Sequence, residues 1–241
     1  MQIPLLDQED PQFPDSRGAL AEPDGLLAAG GNLYPTTLLA AYRQGIFPWY
    51  QDEDPILWWS PATRCVLDPD NFHCSKSLAK ALRRSNYSVT TNRAFAEVIS
   101  ACSDPRDLEG GTWITDAMIS AYIDLHNQGY AHSVEVWDGE SLIGGLYGLA
   151  IGSLFCGESM FSRSPNASKI AMAHLCRWGR ESDLELIDCQ LVNPHLLSLG
   201  AESLNRESFL QRLQSGRDKI LDWAYLGSAE SPQNLDFNWP T

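Results

Sequence analysis

A chain of 241 residues that is 44% hydrophobic can bury a core as one large domain, or as one domain with a small companion. Its net charge of −14, from 17 basic and 31 acidic residues, argues against bulk nucleic-acid binding, so any RNA contact must be local. There is no apolar run of membrane-spanning length, and the start MQIPLLDQEDPQFPDS lacks the basic and apolar regions of a secretory signal. Cys65, Cys74, Cys102, Cys156, Cys176 and Cys189 are scattered without a C-x-x-C pair. The expectation is a cytoplasmic protein with reduced thiols, no metal, no cofactor and no membrane partner.

Residues 1–62 are rich in Pro, Gly and Trp, and are expected to form a small N-terminal domain ahead of a larger domain at 63–241. Pro35 suits a first helical position and Gly45 a stop, which predicts a helix over 35–45. The rest of that segment reads as turns around aromatic anchors at 47–50 and 58–61. Further helices are predicted over 75–86, with Ser75 as N-cap, and over 92–100 and 115–129. A short strand is expected at 88–91. The period then changes: residues 132–137 alternate, Asp138-Gly139 is a hairpin turn signal, and 141–150 and 153–156 read as extended around a second turn at Ile151-Gly152. A helix over 166–178, a buried strand over 184–191 and a helix over 208–213 complete the order. No role is assigned to residues 221–241. This order implies an α+β fold with a central mixed sheet, a pattern that suits acyltransferases of the GNAT type.

Four groups of residues can carry chemistry. Lys76, Lys80, Arg83 and Arg84 share one helical face, a concentration of cations that is unusual in so acidic a chain. It reads either as a solvated face or as a place for a phosphate backbone. Trp49, Trp58, Trp59 and Trp113 are either structural anchors or stacking platforms for an unpaired base, and Trp49 and Trp113 fall on predicted loops. Glu158, within Phe155-Cys156-Gly157-Glu158-Ser159-Met160-Phe161, is a carboxylate in an apolar stretch. It is a paired structural acid or a group meant to meet an amine in a dry pocket lined by Phe155 and Met160. Asp188 and Gln190 are polar residues inside the apolar run Leu186-Ile187-Asp188-Cys189-Gln190-Leu191. They form a structural hydrogen-bonded pair, or a site where Gln190 accepts an amine proton and Asp188 orients its neighbour. Asn193, His195 and Ser198 are weaker candidates.

Six blocks of the chain, among them FPDSRGALAEPDGLLAAGGNL, PILWWSPATRCVL, GTWIT, AHSVEVWDGESLIGGLYGLAIGSLFCGESMFSRSPNASKIA and LIDCQLVNPHLLSLGAESLNRESF, resemble the leucyl/phenylalanyl-tRNA–protein transferase family. The resemblance spans Phe13 to Phe209 with short gaps. It implies a GNAT-like domain that uses aminoacyl-tRNA in place of acyl-CoA and passes Leu or Phe, to a lesser extent Met, to proteins with N-terminal Arg or Lys, marking them for N-degron proteolysis. By the same resemblance Trp49 and Trp113 would hold the 3′-terminal adenosine, and Leu146, Phe155, Met160 and Ile187 would line the side-chain pocket. Glu158, Asp188 and Gln190 would serve catalysis, and the helix bearing Lys76, Lys80, Arg83 and Arg84 would meet the acceptor stem. Position 146 is Leu where the family resemblance leads one to expect Met. The alternative functions are an acetyl-CoA-dependent N-acetyltransferase, against which the absence of a pyrophosphate-binding loop speaks, and a non-catalytic RNA- or degron-binding module.

Overall fold

The alternating run predicted in the middle of the chain builds the centre of the fold. The computed structural model describes residues 3–84, 87–104 and 113–223. In chain order the elements are β1 (Leu5–Leu6), β2 (Leu26–Gly30), α1 (Pro35–Tyr42), β3 (Phe47–Pro48), β4 (Leu57–Trp59), β5 (Thr63–Leu67), α2 (Lys76–Arg84), β6 (Tyr87–Thr91), α3 (Phe95–Ser103), α4 (Asp116–Asn127), β7 (Ala131–Asp138), β8 (Ser141–Ile151), β9 (Leu154–Ser162), α5 (Ala167–Glu181), β10 (Leu186–Gln190), α6 (Pro194–Ser198), β11 (Glu202–Asn205) and α7 (Arg206–Gly216).

Seven strands make one mixed sheet in the order β11-β5-β10-β9-β8-β7-β6. Its neighbouring strands are antiparallel except β9 and β10, which run parallel. Side-chain alternation assigns each strand residue to one of two cores. Val66, Tyr147, Cys156 and Leu186 face one layer with α1, α3, α4 and α7. Cys65, Leu67, Leu146, Phe155 and Ile187 face the other with α2 and α5. Helices therefore cover both faces of the sheet, and the fold is α+β with a mixed sheet.

The N-terminal segment corrects the expectation of turns alone. It forms a second, four-stranded sheet in the order β1-β2-β4-β3. These strands are two to five residues long and interrupted by Gly and Pro, too short for a period of two to stand out. Trp58 is fully buried there, and its indole N–H donates to the Gly30 carbonyl at 2.8 Å.

Elsewhere the boundaries shift for local reasons. The Ser75 hydroxyl caps α2 as expected, accepting from the Leu78 N–H at 3.2 Å. The helix predicted to begin at 92 begins instead at Phe95, because Asn92 sits at φ +56° and spends its side-chain oxygen on the Ser133 N–H at 3.1 Å. The strand expected to stop at 156 continues to Ser162 along β8. Two glycines of β8 are required by close approach: a Cβ at Gly144 would lie 2.4 Å from Ala167 of α5, and one at Gly148 would lie 2.7 Å from the Phe155 ring.

Candidate active site

The site begins where the parallel pair of the seven-stranded sheet ends. β9 and β10 are paired in register as far as Cys156 and Asp188. Beyond that point β9 continues on β8, while β10 stops at Gln190, which adopts φ +61°. A long side chain in that left-handed region costs on the order of 1–2 kcal/mol, so something must hold it. The Asp188 carboxylate does so by accepting the Gln190 backbone N–H at 3.0 Å. The strands part, and a cavity of about 460 Å³ opens between them.

The cavity has an apolar wall of Leu146, Phe155, Met160, Met172 and Ile187. Trp113 and the segment Phe47, Pro48 and Trp49 also line it. Trp49 is 42% exposed, and its ring meets Trp59 edge-on at 5.6 Å. An exposed ring on a rigid strand end is available for stacking. Glu158 and Gln190 supply the polar side of the same cavity, with His195 of α6 beside them. Burial, together with Lys169, keeps the His195 imidazole below its ordinary range.

Glu158 reaches this position through a β-bulge. Tyr147 pairs with Ser159 and Gly148 with Gly157, leaving Glu158 as the extra residue. Bulges re-aim a side chain in this way. Its carboxyl accepts from the Tyr42 hydroxyl at 2.8 Å, the Tyr122 hydroxyl at 3.0 Å and the Gln190 side-chain N–H at 2.6 Å, while the two tyrosine hydroxyls lie 2.5 Å apart. Burial raises the Glu158 carboxyl from 4.5 to about 7, against the opposing pull of these donors.

Asp188, expected to orient the group beside it, takes a place different from that of Gln190. It is fully buried and does not line the cavity. Its two oxygens are taken by Arg64, at 2.8 Å to Nε and 2.7 Å to Nη2. Arg64 is 2% exposed, lies between the rings of Phe47 and Phe209 and donates to the Gly45 carbonyl at 3.3 Å. Burial opposes its charge, and the Asp188 carboxylate more than offsets that, leaving the guanidinium above its ordinary range. Asp188 thus stands one layer behind the cavity and acts on Gln190 through the backbone.

The structure therefore brings Trp49, Trp113, Leu146, Phe155, Met160, Ile187, Glu158 and Gln190 to one cavity and leaves Asp188 behind it. Lys76, Lys80 and Arg83 are exposed on α2, whose Leu78 and Leu82 are buried in the same core as α5. The Arg84 side chain lies outside the described residues. Sequence reasoning missed Arg64, Tyr42 and Tyr122. An Arg preceding the apolar run Cys65-Val66-Leu67 was the signal for Arg64, since a buried cation demands a buried partner. The two tyrosines read as ordinary helix residues and become legible only when α1 and α4 meet over Glu158.

Residues 66–214 match the family described as leucyl/phenylalanyl-tRNA protein transferase, and residues 31–62 match that family's N-terminal domain. The chain belongs to this family. A leucyl/phenylalanyl-tRNA–protein transferase of Cellvibrio japonicus is 52% identical over 92% of this chain and 96% of its own length. One from Pseudomonas aeruginosa is 56% identical over 89% of this chain and 95% of its own. The chain is thus an aminoacyltransferase that draws on aminoacyl-tRNA. A solved structure, L-PGS from Bacillus licheniformis, covers 69% of the transferase and 53% of its own chain at 14% identity with a TM-score of 0.38, a likeness too slight to carry an argument. Among the described residues no helix is long and apolar enough to cross a membrane, and no group of three or more His, Cys, Asp or Glu is arranged to hold a metal ion.

Proposed function

We propose that the transferase moves leucine or phenylalanine, and to a lesser extent methionine, from tRNA to the N-terminus of cytoplasmic proteins that begin with Arg or Lys, marking them for degradation. The observation that carries this reading is the cavity between β9 and β10, where an exposed Trp ring, an apolar wall and the Glu158–Gln190 pair meet. Trp49 and Trp113 stack on the terminal adenosine. Leu146, Phe155, Met160 and Ile187 receive the apolar side chain, and polar side chains are rejected by the cost of burying them unpaired. The exposed cations Lys76, Lys80 and Arg83, with Arg84, meet acceptor-stem phosphates.

The chemistry follows from the donor. An ester to ribose is already activated, and an α-amine with a pKa of about 7.7–8.0 is partly neutral at cellular pH. The enzyme's task is to hold amine and ester together, worth up to ~7–11 kcal/mol. Gln190 gives its amide N–H to Glu158, so its carbonyl oxygen is left to accept an N–H of the attacking amine. The amine nitrogen bonds to the ester carbon, the C–O bond to ribose breaks, and the departing ribose oxygen takes up a proton. An amide carbonyl orients the amine but does not keep its proton. Glu158, raised to about 7, has the affinity to hold one in transit. Asp188, through Arg64 and the Gln190 N–H, keeps the strand end in its strained form and is a positioning residue.

The reading of residues 1–62 as a small N-terminal domain and 63–241 as a GNAT-like domain is supported by the division of strands between two sheets. It is supported further by the one parallel pair at the cavity. The test is to mix the protein with tRNA charged with radiolabelled leucine and a peptide beginning with Arg. Label in the peptide is expected. Label absent there, but present with acetyl-CoA as donor, would transfer support to the acetyltransferase alternative.

A further inference from the structure

Phe155 is the residue of the cavity wall with the most to say about how deep the cavity is. It lines the cavity, yet is only 1% exposed, so its position is set by what lies behind it. On the sheet side it has no room to retreat, because it lies directly over Gly148, where even a Cβ would come within 2.7 Å of its ring. Another of its neighbours comes from outside the sheet. Trp223, which follows α7, lies 5.7 Å from the Phe155 ring at an angle of 30°. Trp223 is itself fixed on two further sides, stacked on His132 at 5.1 Å and 14° and tilted against Trp178 of α5 at 4.9 Å. Its indole N–H donates to the carbonyl of Gly152, in the turn between β8 and β9, at 3.3 Å. The indole is thus clamped between two strands and a helix, and Phe155 stands between it and the cavity.

Resting on the reading that this cavity takes the aminoacyl side chain, we infer that Trp223 is a specificity-determining residue: it backs Phe155, fixes the depth of the slot and so limits the size of the amino acid that is transferred. The tail residue acts through Phe155 and touches no substrate. A shorter side chain at 223 leaves space into which the Phe155 ring moves, and the slot deepens by that volume. Packed interiors transmit such a change because they contain little free space to absorb it. Large donors gain and small donors lose contact.

The experiment uses the full chain with tRNA charged with leucine, phenylalanine or tryptophan, and reads kcat/KM for each in wild type, Trp223→Phe and Trp223→Leu. A change of one methylene in an apolar pocket alters kcat/KM by roughly 10- to 200-fold when felt directly. Acting one residue removed, Trp223→Leu is expected to raise the tryptophan-to-leucine ratio by about fivefold or more, and Trp223→Phe to give an intermediate ratio. Both variants losing activity equally toward all three donors, with the ratios unchanged, would assign Trp223 a purely structural role and overturn the inference. If Trp223→Leu does not fold, an unchanged ratio in Trp223→Phe has the same force. Wild-type protein that transfers none of the three would refute the proposed function itself, a result distinct from transfer with unaltered ratios.

Discussion

The carboxyl of Glu158 and the side-chain amide of Gln190 meet at 2.6 Å on the wall of the cavity, and this contact takes up the N–H end of the amide. Glu158 reaches it because it is the extra residue of a bulge in β9, and Gln190 because β10 ends on a left-handed residue. Two local departures from regular strand geometry therefore converge on one hydrogen bond. Strain of this kind persists only where the surroundings over-determine it, and here Asp188 and Arg64 supply that support.

Gln190→Gly separates the backbone from the side chain. Glycine adopts φ +61° without penalty, but the substitution also removes the side-chain donor from the buried Glu158 carboxyl, so relief of backbone strain is offset and no net stabilisation is expected. Transfer is expected to fall by about a hundredfold in kcat, the order of loss when a reacting group is no longer held in position. Affinity for charged tRNA should change little. Single-turnover kinetics beside a filter-binding titration check this, and kcat within a few-fold of wild type would show that the side chain is dispensable.

Glu158 predicts a pH dependence of stability. Its carboxyl is raised from 4.5 to about 7 in the folded protein, chiefly by burial. The folded state therefore binds the proton more tightly than the unfolded chain. The stability from this group is full below about pH 4.5 and is lost as pH rises through about 7. The loss is on the order of 3 kcal/mol. Glu158→Gln keeps the shape without the charge and should flatten that part of the profile. Urea denaturation of wild type and variant at several pH values between 5 and 8 is the measurement, and parallel profiles would contradict the assignment.

The pair of Arg64 and Asp188 predicts a large mutational cost. Both side chains are essentially inaccessible, so Asp188→Ala leaves a buried guanidinium uncompensated. The expected destabilisation is ~3–5 kcal/mol. Because Asp188 also holds the Gln190 N–H, protein that remains folded should lose kcat more than affinity for charged tRNA. A destabilisation below about 1 kcal/mol would mean that the cavity wall does not depend on this pair, since exposed pairs give values that small.

Charge reversal at Lys80 and Arg83 tests the face of α2. Each lost phosphate contact on duplex RNA should reduce the magnitude of the slope of log affinity against log salt by roughly 0.7–0.9. Reversing both should weaken binding and flatten the slope by between one and two such steps. An unchanged slope would return these cations to the role of a solvated face.

How much of this was legible in the sequence depended on the range of the interaction. The hairpins through Asp138-Gly139 and Ile151-Gly152, and the cap at Ser75, are written in neighbouring residues, and they read correctly. The composition of the cavity was legible too, since a carboxylate among Phe155, Met160 and Phe161 and a Gln in an apolar strand both demand explanation. What could not be read were contacts between distant segments. Arg64 meets Asp188 across 124 positions, and Tyr42 meets Glu158 across 116. No local period encodes such pairs, so the sequence showed that Asp188 orients its neighbour but not that Arg64 holds Asp188. The short strands of the N-terminal sheet escaped for a different reason: each is stabilised by pairing with a remote partner, β1 and β4 both on β2, rather than by its own pattern.

The most direct test of the account is a structure of the protein with a non-hydrolysable leucyl-adenosine amide that mimics the end of the charged tRNA. The expected result is the leucyl side chain against Phe155, Met160 and Ile187, the adenine on Trp49, and the acyl carbon within reach of the Gln190 carbonyl. Density for the analogue at any other place on the protein, with the cavity between β9 and β10 left empty, would contradict it.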